Sequence, residues 1–145
     1  MTTYRSVPER LLSGELPTPP IAQTLGFRLT QAGGDQAVIE MDAAPQHANP
    51  MGTLHGGVLC DIADAAMGMA WAAGLAEGET FTTLELKTNF LKPFWTGRLK
   101  ATGIVVKRGK TIGMAQCDVV DAKDQLVSRS TCTIMTLRGD QAKGR

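Results

Sequence analysis

Two hydrophobic periods divide the chain. Apolar residues recur at helical spacing over one long stretch, Gly56 to about Ala73, and at alternate positions on either side of it. The helical stretch is rich in Ala and Met and stops near Gly74. Ahead of it, Phe27 to Gln31 and Gln36 to Met41 read as strands around AGGD, a Gly-containing four-residue loop of the kind hairpins use. Ile21 to Leu25 predicts a short helical turn before Gly26, and Pro45 to Gly52 a loop. Behind the helix come four more strands. Phe81 to Leu91 ends at Pro93, Arg98 to Lys107 and Thr111 to Asp121 flank RGK, and Gln125 to Leu137 follows the AKD turn. In the last of these Val127, Arg129, Thr131, Thr133, Met135 and Leu137 share one face. Short turns between neighbouring strands predict a mostly antiparallel six-stranded sheet with one central helix, an α+β domain. Residues 1–20 read as a leader ending in PTPP, 21–138 as the domain, and 139–145 as a polar, frayed tail.

The helix has too few charges for a surface element. On a helical wheel Val58, Leu59, Ile62, Ala65 and Met69 form the stripe expected to pack on the sheet. Asp61 and Asp64 lie on the other side, beside Cys60, Met67, Gly68 and Trp71. Between His55 and Ala76 there is no Lys, Arg, Glu, Gln or Asn. A helix apolar nearly all round is buried nearly all round, and one sheet curls round only part of it. A second copy of the chain is the expected cover, as a homodimer or a dimer of dimers. A carboxylate buried there is costly unless hydrogen-bonded, and perturbed carboxylates collect at functional sites. Composition alone leaves two readings of the aspartates open: structural hydrogen-bond partners, or catalysts.

Composition narrows the class. At 145 residues the chain is long enough for one well-formed core, and a formal net charge of +1 gives no general attraction to nucleic acid or anionic membrane. Three cysteines, Cys60, Cys117 and Cys132, widely spaced and without a CxxC pair, speak against a disulfide framework or a zinc site. The first twenty residues contain no apolar run of the signal-peptide kind, and His55 to Leu75 carries two aspartates and several glycines, so a soluble, cytoplasmic protein without a membrane span is expected. No P-loop, GxGxxG, GxSxG or metal-ligand cluster is present, which leaves nucleotide hydrolysis, hydride transfer, serine hydrolysis and metal catalysis without support.

The string N-x-x-G-x-x-H-G-G-x(6)-D, here Asn49, Gly52, His55, Gly56, Gly57 and Asp64, resembles the hotdog-fold acyl-CoA thioesterases of the phenylacetate-degradation (PaaI-like) type. The resemblance extends over roughly Gly26 to Leu137 and includes TTLELKTNFLKP, similar to that family's strand after the helix. It implies a hotdog fold, a sheet wrapped around one long helix and paired into a dimer with sites at the subunit interface. It implies further that Asp64 is the general base on water or the nucleophile on the thioester, and that the Gly56 backbone N–H polarises the carbonyl. Free first-turn N–H groups at a helix start suit that second role. Asn49 matches a residue that orients the carbonyl or the water. Thr83 matches a Ser/Thr position that places the attacking water across the interface, with a methyl added here. His55 matches the histidine before the oxyanion glycine.

Plainer readings stand beside these. His55 can simply hydrogen-bond the loop, Asn49 can be a turn residue, and Gly57 can be a packing glycine or the oxyanion donor in place of Gly56. Asp61 has no counterpart in the motif. Thr82 would exchange faces with Thr83 on a one-residue strand slip. The hairpin Lys107, Arg108, Gly109 and Lys110 offers three cations for the phosphates of coenzyme A, although hairpin tips are commonly charged. Met67 and Trp71 are the expected walls of an acyl pocket for an aryl or medium chain. The implied reaction needs no cofactor or metal, since coenzyme A is part of the substrate. Two other readings compete: a non-catalytic acyl-CoA-binding module, and a hotdog hydratase or dehydratase, which would need a catalytic His paired with an acid.

Overall fold

The computed structural model describes residues 3–145. Two short helices, α1 (Val7–Leu12) and α2 (Pro20–Leu25), precede the hairpin of β1 (Phe27–Gly33) and β2 (Gln36–Ala43). Helix α3 (Gly56–Ala72) follows, then β3 (Thr80–Phe90), β4 (Gly97–Arg108), β5 (Ile112–Asp121) and β6 (Leu126–Leu137). All six strands pair antiparallel in one sheet, in the order β1-β2-β4-β5-β6-β3. The sheet wraps α3, so the helix packs on every strand from β1 to β6.

Alternation in the strands supplies the inner surface: Ile39 and Met41 of β2, Leu99 and Ala101 of β4, Ala115, Cys117 and Val119 of β5, and Ile134 of β6 are all buried. Burying each of the larger of these contributes about 1.5–3 kcal/mol. The helix approaches closely because its facing residues are small, with Ala63, Ala66 and Ala70 fully enclosed. At the tightest point Gly103 of β4 meets the helix backbone: a Cβ there would lie 2.4 Å from the Ala66 carbonyl carbon. Only glycine lets strand and helix touch at that distance.

Several elements differ from the sequence expectation. The β1–β2 loop is the two-residue turn Gly34-Asp35, each with φ of 60°, and not a four-residue loop; tight hairpin turns need positive φ at both central positions. The segment before residue 21 carries a helix of its own, α1, which packs on β1 and α3. Glu9 reaches back to accept the Ser6 N–H at 2.6 Å, a capping interaction. Residues Gly139–Ala142 of the polar tail form a 3-10 turn. In β6 the core-facing set is Ser128, Ser130, Cys132, Ile134 and Thr136, so Arg129, Thr131, Thr133 and Met135 form the outer face.

The central helix also rotates relative to the expected stripe. Val58, Leu59 and Ile62 do pack inward, but Ala65 and Met69 stay half-buried while Ala63, Ala66 and Ala70 take the core positions. Met67, Gly68 and Trp71, on the side where the sequence predicts a partner's cover, are buried by the chain's own sheet. No helix among the described residues is long and apolar enough to cross a membrane. Cys60, Cys117 and Cys132 are free thiols.

Candidate active site

Helix α3 begins at a tethered loop. His55 is its N-cap, in extended conformation, and its Nδ1 accepts the Gly57 N–H at 2.9 Å. The His55 carbonyl accepts the Val58 N–H at 3.0 Å. The Gly56 N–H has no hydrogen-bond partner among the described residues, so the first turn keeps a donor for an external acceptor. Gly57, by contrast, has its donor occupied. A Cβ on Gly56 would meet the Phe90 ring at 2.8 Å, and one on Gly57 would meet the His55 ring at 2.9 Å.

The preceding loop is pinned to this helix start. His47 accepts the Ala44 N–H on Nδ1 at 2.9 Å, and its carbonyl accepts the His55 N–H at 2.9 Å. Asn49 turns inward on its own loop: Nδ2 donates to Thr53 Oγ1 at 2.7 Å and Oδ1 accepts the Met51 N–H at 3.0 Å. Both histidines therefore commit Nδ1 to backbone donors, and Asn49 holds an Asx turn.

Asn49 and Gly56 line one cavity of about 410 Å³ with Phe90, Lys92 and Phe94. Those last three were missed in the sequence, although they stand in the quoted stretch TTLELKTNFLKP and the Phe94 just after it. Lys92 pairs with Asp121 and Gln125, which fixes the strand after the helix against the β5–β6 turn. The Lys92 ammonium first, and then the Gln125 N–H, hold the Asp121 carboxyl at about 2.

Two turns further along α3, Asp64 accepts a hydrogen bond from Thr83 Oγ1 at 2.8 Å. This places Thr83, and not Thr82, against the helix, with the sheet bulging immediately afterwards between Thr83 and Glu85. Thr83 and Asp64 meet within one chain. Asp61 is exposed; partial burial of its carboxyl, and then the Asp64 charge, raise it above the ordinary range. Cys132 lies near Asp64, and burial, followed by that charge, pushes its thiol up to about 12, so it is no thiolate nucleophile at neutral pH. Cys60 Sγ contacts Thr88 Oγ1 at 3.5 Å, and Thr88 bonds Ser130 at 2.8 Å.

The remaining predicted residues fall elsewhere. Met67 and Trp71 are fully buried. Trp71 Nε1 donates to Thr136 Oγ1 at 3.0 Å, and its ring lies 4.2 Å under the Arg108 guanidinium. Within one chain their surfaces are taken up by the protein's own interior. Arg108 is likewise committed, to Asp35 at 2.8 Å and the Trp71 carbonyl at 3.1 Å. Lys107 and Lys110 are exposed at the hairpin, and Gly109 is there because a Cβ would lie 2.1 Å from the Ile112 carbonyl oxygen. No group of three or more His, Cys, Asp or Glu side chains among the described residues is placed to hold a metal ion.

The sequence and the wrapped-sheet fold match known proteins. A family model described as the thioesterase superfamily matches residues 51–128. The chain is 26% identical over 114 residues to the 1,4-dihydroxy-2-naphthoyl-CoA hydrolase of Listeria monocytogenes, covering 79% of this chain and 93% of that one. Its structure superposes on a thioesterase of Haemophilus influenzae with a TM-score of 0.77 at 26% identity, over 81% of this chain and 82% of the other. A phenylacetic acid degradation-related protein of Ralstonia eutropha JMP134 superposes with a TM-score of 0.82 at 28% identity, over 88% and 98% of the two chains. The chain belongs to the thioesterase superfamily, as a hotdog-fold thioester hydrolase.

Proposed function

We propose that the protein is an acyl-CoA thioesterase: acyl-S-CoA and water give a carboxylic acid and free coenzyme A. The observation that carries this is the Thr83-bound carboxylate of Asp64 on the same helix whose first N–H, at Gly56, has no partner among the described residues. Thr83 holds Oδ1 of Asp64 and leaves Oδ2 for a water molecule. The Gly56 N–H, with the positive end of the helix dipole behind it, donates to the thioester oxygen and stabilises the negative charge that develops there. Asp64 takes the proton from the attacking water, the tetrahedral intermediate collapses, and the thiolate of coenzyme A leaves.

One chain does not complete this site. Gly56 and Asp64 are eight residues apart in α3, about 12 Å along the axis, too far to serve one carbonyl. The proposal therefore joins Gly56 of one protomer with Asp64 of its partner, in a homodimer or a dimer of dimers. The eleven-residue edge strand β3, unpaired on its outer side within the chain and carrying exposed Leu84 and Phe90, supports an interface there. Lys107 and Lys110 are assigned to the phosphates of coenzyme A; Asn49 and His55 support the loop and cap that aim Gly56. Both histidines' hydrogen bonds to backbone favour hydrolysis over hydration chemistry built on a free imidazole.

The test is a panel of acyl-CoAs with coloured-reagent detection of the released thiol. Wild type turns over at least one aryl or medium-chain substrate. Inactive Gly56→Ala and Asp64→Asn proteins, mixed and re-equilibrated, regain activity well above either alone. Flat traces across the panel with binding still measurable would instead indicate a non-catalytic module.

A further inference from the structure

The strip of α3 left open by the sheet carries Asp64 together with two residues, Ala65 and Met69, that line an apolar cavity. Between Ile62 and Ala72 every residue is fully buried except Asp64, Ala65 and Met69. Ala65 and Met69 form one wall of a cavity of about 260 Å³ whose opposite walls are β1 and the N-terminal segment, including Leu11, Ile21 and Leu29. We propose that this cavity takes the hydrocarbon part of the acyl group, and that the N-terminal segment thereby sets the enzyme's acyl selectivity. The proposal rests on the thioesterase reading above and names the substrate class of that same site.

Geometry gives the direction. Ala65 follows Asp64 in the chain, and Met69 lies one turn beyond Ala65 on the same face. A thioester carbonyl at Asp64 can thus extend its tail along Ala65 and Met69, over the C-terminal half of α3. Chemistry gives the class. Among the described residues the polar side chains on the cavity wall are Thr18 and Arg28, and the Arg28 guanidinium lies toward Glu40 at 4.0 Å and Asp42 at 3.9 Å on the half-exposed side. The walls away from Arg28 offer a charged group no partner, so the body of the cavity suits a hydrocarbon tail. At roughly 30 Å³ per water-sized group the cavity holds about nine such groups, the bulk of a medium straight chain or an aromatic ring. The walls contributed by α1 and α2 come from outside the motif-bearing region, so related chains with different N-terminal segments would carry different cavities on the same catalytic pair.

The experiment compares kcat/KM for acetyl-, hexanoyl- and decanoyl-CoA in wild type, Ala65→Leu, which fills the cavity, and Met69→Ala, which enlarges it. Ala65→Leu is expected to lower the decanoyl-to-acetyl ratio about tenfold or more, and Met69→Ala to raise it. Ile21→Trp, at the exposed lip, asks the same question without touching the core and should lower the ratio too. Folded variants that keep the wild-type ratio would overturn the inference while leaving the thioesterase reading intact. A wild-type protein that hydrolyses no acyl-CoA would instead remove the reading itself.

Discussion

The hydroxyl of Thr83 donates to Oδ1 of Asp64 across 2.8 Å, tying the middle of α3 to the edge strand β3 within one chain. The bond sets the direction of the carboxylate and is made at the residue where β3 bulges. A hydrogen bond to a charged group contributes about 1.5–3 kcal/mol, so losing it from the reacting arrangement is visible in rate. Thr83→Val, which keeps the shape and removes the donor, should lower kcat by about tenfold or more and lower the thermal midpoint by a few degrees. Thr83→Ser should retain most of the rate. A Val variant with wild-type kcat would show that the bond is only structural.

His55 acts through its cap. His55→Ala removes the acceptor for the Gly57 N–H and should cost about 1 kcal/mol in urea denaturation. His55→Asn supplies another cap oxygen and should recover most of that stability. If His55 positions Gly56 and does no proton transfer, kcat recovers in the Asn variant together with stability; stability recovered with activity still lost would assign the ring a chemical role.

Gly103 is the closest approach of sheet and helix. Gly103→Ala would set a Cβ 2.4 Å from the Ala66 backbone, where neither partner is a flexible side chain that can swing away. Overpacking of this kind should destabilise by about 2 kcal/mol or more, with a matching fall in the urea midpoint. An Ala variant as stable as wild type would mean that the helix can lift from the sheet.

Asp121 carries a pH signature. Lys92 and the turn N–H groups hold its carboxyl at about 2, below the ordinary value of 3.8. A depressed carboxylate stabilises the fold above its unfolded value and loses that contribution as pH falls through the folded one. The stability difference between wild type and Asp121→Asn should thus be constant at neutral pH and shrink between about pH 4 and pH 2. A difference independent of pH down to 2 would show that the Lys92 pairing is not what stabilises this turn.

Strand positions, the antiparallel order of turns and the span of α3 were legible because alternation and helical period persist over whole elements, as in β5 and α3. Boundaries were less so. Gly34 and Asp35 make a two-residue turn that a Gly-Gly-Asp string does not distinguish from a longer loop. Helix α1 was missed although Ser6 and Glu9 carry a capping signature, because six residues give too little period to read. The site divided in a similar way. The motif spacing led to Asp64, Gly56 and Thr83, whose contacts depend on local geometry. The surroundings of Met67, Trp71 and Arg108 are not legible in the sequence because they depend on distant partners: Thr136 for the indole, Asp35 for the guanidinium, and the curl of the sheet for Met67. No periodicity encodes how far a sheet curls. The same uncertainty turned Ala65 and Met69 from core positions into cavity wall.

The two helix aspartates give the most direct test of Asp64 as the group that activates water. The measurement is kcat for Asp64→Asn and Asp61→Asn, side by side, on one acyl-CoA that wild type hydrolyses. Both substitutions remove one charge from the same helix, one turn apart. Asp64→Asn should lose about 10²-fold or more in kcat with KM little changed, as removal of a general base does, while Asp61→Asn stays near wild type. Near-wild-type turnover in Asp64→Asn, or an equal loss in both variants, would contradict it.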